Sequence, residues 1–122
     1  MEQLPPHDIE AEEAVLGALL LWQQAEPEKV TEVMMSLQPK HFYREKNAWV
    51  YGACLSLWKE GKPIDQVMVA NKLAERFGWG KVMELHLISY LSYLIQQTPT
   101  PVHVLSHSQI VFDAYQKRIT TG

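Results

Sequence analysis

The sequence predicts an all-α fold: a globular bundle of short helices followed by a C-terminal helical hairpin. Three observations carry that prediction. Apolar residues recur at intervals of three and four along most of the chain, no segment alternates as a half-buried strand would, and proline and glycine fall between the periodic stretches.

The first helix starts at Asp8, a capping residue, with Glu10, Glu12 and Glu13 in its first turns where the helix dipole favours negative charge. Ala11, Ala14, Val15, Ala18, Leu19 and Trp22 then define one buried face. Pro27 suits the first turn of a second helix carrying Val30, Val33, Met34 and Leu37, which Pro39 ends. After the short turn PKHFY, a third helix is expected from about Glu45 to Glu60. Its stripe is Val50, Cys54 and Leu57, broadened by Trp49, Ala53 and Trp58.

Gly61 falls where a helix commonly reverses into the left-handed region, and Pro63 prevents continuation. Asp65 then caps a fourth helix, with Ile64 and Val69 at the two positions of a hydrophobic staple, and this helix ends near Phe77. Gly78 and Gly80 mark a loop. Leu87, Ile88, Leu91, Leu94 and Ile95 form the next amphipathic face, and the TPTP tract, Thr98 to Pro101, interrupts it. Thr100 can cap and Pro101 can start a last helix containing Val104, Leu105, Ser108, Val111, Phe112, Tyr115 and Ile119.

That last helix carries apolar residues over more than one stripe. Two outcomes stay open: one side faces the domain while another seeks a partner, or both are buried at home. The expected layout is a globular head over 1–97, with the turn and the last helix of the hairpin over 98–122, in one domain.

With 122 residues, 47% hydrophobic and 20% charged, the chain is sized for one compact core without disulfides or metals. A net charge of -3 gives no electrostatic reason for tight nucleic-acid binding. The lone Cys54 excludes an internal disulfide and fits a reducing compartment. The longest apolar run, AVLGALLLW, is too short to cross a bilayer and is preceded by acidic residues, so a cytoplasmic chain with no membrane partner is expected.

No residue set in the sequence points to catalysis, a cofactor or a metal. Gly61-Lys62 has the look of a phosphate loop, yet Pro63 stands where a Walker motif needs Ser or Thr, and Ser56 stands where it needs glycine. His103 and His107 are four apart on the last helix, but no third ligand accompanies them. His41 and His86 are isolated, and His7 beside two prolines is expected to help set the entrance to the first helix. Cys54 reads as a small core hydrophobe, and Phe42, Tyr43, Trp49, Tyr51 and Trp58 read as core aromatics.

Three segments taken together, PPHDIEAEEAVLGALL, HFYREKNAWVYGACLSLWKEGKPID and YLSYLIQQTPT, resemble the N-terminal domain of bacterial replicative DNA helicases of the DnaB type. The resemblance covers nearly the whole chain. It implies a non-catalytic domain that pairs with copies of itself through its hairpin, forms the N-terminal collar of a hexameric ring and docks primase. ATP and magnesium would belong to a motor domain outside these residues, and DNA would be met only weakly or through the assembled ring.

By position, the resemblance assigns self-association to Pro99, His103, Val104, His107, Ile110, Val111 and Ala114, and communication with primase to Glu10 and Tyr90. Departures are His86 and Leu87 where the family often has paired glycines, His103 for a frequent asparagine and His107 for a frequent tyrosine. The alternative is the helicase-binding domain of a primase, or a stand-alone helicase-interacting protein.

Overall fold

The computed structural model describes residues 7–121; Pro5, Pro6 and Gly122 lie outside them. Among the described residues the chain is helical with no strand: α1 (Ile9–Leu20), α2 (Pro27–Ser36), α3 (Glu45–Lys59), α4 (Gln66–Phe77), α5 (Trp79–Glu84), α6 (Leu87–Gln96) and α7 (Val104–Thr121). Short 3-10 turns follow α1 at Trp22–Gln24 and precede α3 at Pro39–His41.

Two of the three side-chain caps that the sequence predicts, Asp8 and Asp65, form. The Asp8 carboxylate accepts the Ala11 amide at 2.9 Å, and Asp65 accepts that of Met68 at 2.9 Å. Gly61 takes φ 70°, and the amides of Gly61 and Lys62 bond back to the Trp58 and Leu57 carbonyls, satisfying acceptors that the end of α3 leaves orphaned. Ile64 and Val69 are both buried around the Asp65 cap.

Helix α1 is the axis of the molecule. It packs against α7, α6 and α3, so Ala11, Val15, Leu16, Ala18, Leu19 and Leu20 are all buried, more of its circumference than one stripe requires. Trp22 lies past the helix, in the 3-10 turn, and is half-buried. Gly17 lets α6 approach: a Cβ there would stand 1.9 Å from Thr98 Oγ1 and 2.6 Å from the Leu94 carbonyl oxygen.

Tyr51 of α3 is fully buried, and its hydroxyl donates to the carbonyls of Leu37 at 2.9 Å and Val33 at 3.3 Å. It thereby closes the C-terminal end of α2. Cys54 has no exposed surface, and burial pushes its thiol up to about 12, which suits an inert core residue. Tyr43 departs from the expected core role: 37% exposed, it stacks on His7 at 4.3 Å between ring centroids. That contact sets His7 beside the entrance to α1.

Three elements differ from expectation. The stretch after Gly78 is helix α5, with Gly80 inside it; Gly78 itself, at φ 83°, makes the break. The last helix starts at Val104, because residues 101–103 form a turn in which the Thr100 hydroxyl accepts the Val102 amide at 3.3 Å. Finally, α6 and α7 do not pair chiefly with each other. Helix α7 crosses the head against α1 and α2, while α6 packs on α1, α4 and α5.

Candidate self-association and docking surfaces

Helix α7 presents two stripes about 100° apart, the angle between successive residues of an α-helix. The inner stripe, Val104, Ser108 and Val111, is buried, and Phe112 and Tyr115 beside it close over His41. Arg118 completes this seam, its guanidinium donating to the His41 carbonyl at 2.9 Å. The outer stripe is His103, His107, Ile110 and Ala114, at intervals of four, three and four, the spacing of a helix–helix seam.

On that outer stripe His103 and Ile110 are exposed, Ile110 by 42%, while His107 and Ala114 are half-exposed. Pro99 is exposed in the preceding turn. Of the seven positions assigned to self-association, five are therefore reachable by another molecule. Val104 and Val111, each 1% exposed, hold α7 on the head and cannot touch a second copy while it stays there.

A polar network links α1, α3 and α6. Glu12 is buried at 1% exposure, and its carboxylate accepts the Tyr43 amide at 2.6 Å, the Arg44 amide at 3.3 Å and the Asn47 side-chain amide at 2.9 Å. Arg44 is the N-cap of α3 and makes no side-chain cap; Glu12, from another helix, accepts the N-cap amide as the N3 side chain of a capping box would. Asn47, also buried, in turn accepts the Tyr90 hydroxyl.

Outside this buried pair lies a second layer. Tyr93 donates its hydroxyl to Glu13 at 2.9 Å, Arg44 pairs with the same carboxylate at 3.3 Å, and the Lys46 ammonium sits 4.7 Å from the Tyr90 ring centroid. Burial first, then the Glu13 charge, pushes the Tyr90 phenol up to about 12, keeping it a protonated donor at neutral pH. Tyr90 is half-buried in this network, and Glu10 is exposed in the first turn of α1, near enough for its charge to act on the Tyr93 phenol.

Of these residues only Tyr90 stands among the sequence-assigned site positions; Glu12 and Glu13 are marked in the sequence only as first-turn acids, and Arg44, Asn47 and Tyr93 are not marked at all. A signal existed: Glu12 lies three and four residues before Val15 and Leu16, which places it on the buried side of α1.

At the Gly61-Lys62 turn the lysine is engaged in an ion pair within the chain. Lys62 pairs with Glu60 at 3.0 Å, and Lys72, Lys62 and Ser56 together hold the Glu60 carboxyl down to about 2. No cluster of three or more metal-ligating side chains occurs among the described residues, and none of their helices is long and apolar enough to cross a membrane.

Comparison with known proteins decides the family. The model of the DnaB-like helicase N terminal domain matches residues 4–113. The chain belongs to the DnaB-like helicase N-terminal domain family. It is 36% identical over 110 residues to the replicative DNA helicase DnaC of Bacillus subtilis (strain 168), and equally to the replicative DNA helicase DnaB of Geobacillus stearothermophilus. Each match covers 90% of this chain and 23% of the relative, so the chain spans about a quarter of the curated relatives it matches. The crystal structure of the N-terminal domain of DnaB helicase from Mycobacterium tuberculosis superposes with a TM-score of 0.81 at 34% identity, over 94% of this chain and 75% of that one. As a DnaB-like N-terminal domain, the chain has the expected all-helical fold.

Proposed function

We propose that this domain is the non-catalytic N-terminal collar of a replicative DNA helicase, pairing with copies of itself through the outer stripe of α7 and offering primase the edge around Glu10 and Tyr90. The observation that carries the pairing is the division of α7 into a buried stripe and a separate exposed one with seam spacing, Ile110 at its centre. The family match to replicative helicases favours the helicase side over a primase or an accessory protein.

The two surfaces have different physics. The α7 stripe offers apolar area and two histidines, which suits a self-complementary contact between copies related by symmetry. The Glu10–Tyr90 edge joins an exposed carboxylate to a network that ties three helices, so a partner touching it also touches what positions α1 against α3 and α6. Nucleotide hydrolysis, with ATP and magnesium, belongs to a motor outside this chain. The location is cytoplasmic, and DNA is met through the assembled ring.

Sedimentation of the chain over the micromolar range and pull-down with the cognate primase test this reading. A concentration-dependent shift to dimer or larger species, and primase capture weakened by Glu10→Lys, are the expected results. A strict monomer at high concentration contradicts pairing, and primase capture indifferent to Glu10 and Tyr90 contradicts the docking edge.

A further inference from the structure

His103 and His107 are not needed to hold the fold. His103 is exposed and His107 half-exposed, and the inner stripe fixes α7 on the head without them. Their positions are joined by the first helical hydrogen bond, from the His107 amide to the His103 carbonyl at 3.0 Å. The two rings are already neighbours, with centroids 6.3 Å apart and planes at 78°.

We propose that His103 and His107 form a two-imidazole chelate for a divalent transition metal ion at the start of α7. Imidazole nitrogen is a preferred donor for zinc, nickel and copper, and residues four apart put both rings on one side of a helix. Two imidazoles on one tetrahedral zinc, with Zn–N about 2.1 Å, hold their ring centroids about 5 Å apart. Side-chain rotation of two accessible rings closes that gap without moving the backbone.

The pair lies off the buried stripe, so the coordination positions that two imidazoles leave on a bound ion would be open to solvent in the single chain. The pair occupies the outer stripe, so a metal bound there tightens the first turn of α7 beside Ile110. The ion is chosen by availability and by the usual order, in which copper binds such nitrogen donors more tightly than nickel or zinc.

The test is titration of the purified chain with Ni²⁺ and with Zn²⁺, followed by calorimetry and thermal melting. The expected result is one saturable site per chain and a melting temperature that rises with metal concentration. His103→Ala and His107→Ala should each weaken binding by about tenfold or more, because a chelate loses its grip when either ring is removed. Both variants should keep the parent's helical circular dichroism without metal, since neither ring is buried in the head, and His86→Asn should bind like the parent. With Cu²⁺, electron paramagnetic resonance should show two coupled nitrogens, falling to one in either variant. Binding that changes less than about twofold in both variants, or no saturable binding in the parent, overturns the proposal.

Discussion

Single residues in this domain hold distant elements together. The Glu12 carboxylate, with three donors from residues 31 to 35 positions away, is the clearest case. Glu12→Ala would leave two part-buried backbone amides and the buried Asn47 side-chain amide without their acceptor, at a cost of about 3 kcal/mol. Urea unfolding checks this, and a change below about 1 kcal/mol would show that water replaces the carboxylate. The sequence displayed Glu12 only as one of several acidic residues opening a helix. Its cap-like role toward α3 is tertiary, so no local pattern reveals it.

His41 behaves similarly. Its Nδ1 accepts the Gln38 amide at 2.9 Å, and it lies buried under α7 beside Phe112 and Tyr115. Burial, then the charges of Lys40 and Arg118, holds its pKa below the ordinary 6.5. The unfolded chain therefore takes up this proton first. The stability His41 contributes is full above about pH 6.5 and is lost as pH falls through its lower folded value, at up to about 1.4 kcal/mol per pH unit. Denaturant midpoints compared at pH 7.5 and 5.5 should show the loss, and His41→Asn should flatten it.

At the scale of helices, positions set by short-range chemistry were legible. Asp8 and Asp65 cap, Gly61 reverses, and Pro27 starts α2 as their sequence contexts indicate. Less legible were features decided by competition. Gly78 and Gly80 read as a loop, but only Gly78 adopts a positive φ, and Val82 is buried, which ties α5 to the core as a short helix. The first turn of α6 begins from His86 at φ 54°, a left-handed conformation that glycine adopts without strain and where the family resemblance noted glycine.

The approach of α1 to α6 also belongs to this scale. Gly17→Ala would place a methyl against the Leu94 backbone oxygen, so relief requires the helices to separate and not merely a side chain to turn. A loss of about 2–3 kcal/mol is expected in chemical denaturation. Wild-type stability in that variant would mean that the α1–α6 contact is looser than the 2.6 Å approach indicates.

For the molecule as a whole, helical class and most core residues followed from periodicity, while the arrangement of α7 did not. The TPTP tract suggested a turn between two hairpin arms. The apolar inner stripe of α7 finds deeper burial on α1 and α2, so the helix crosses the head instead. That choice settles what the sequence left open: one side of α7 faces the domain, and the outer stripe remains exposed. For the α7 positions that the family resemblance assigned to self-association, burial supplies a sidedness that spacing alone did not reveal: it separates Val104 and Val111 from His103, His107, Ile110 and Ala114.

Pairing through that outer stripe is the central claim, and Ile110 is its most exposed apolar position. Sedimentation equilibrium of the chain and of Ile110→Asp tests it directly. A charge placed at the seam should weaken self-association by about tenfold or more, with the melting temperature of the monomer unchanged. Equal association of the two proteins would contradict pairing through α7.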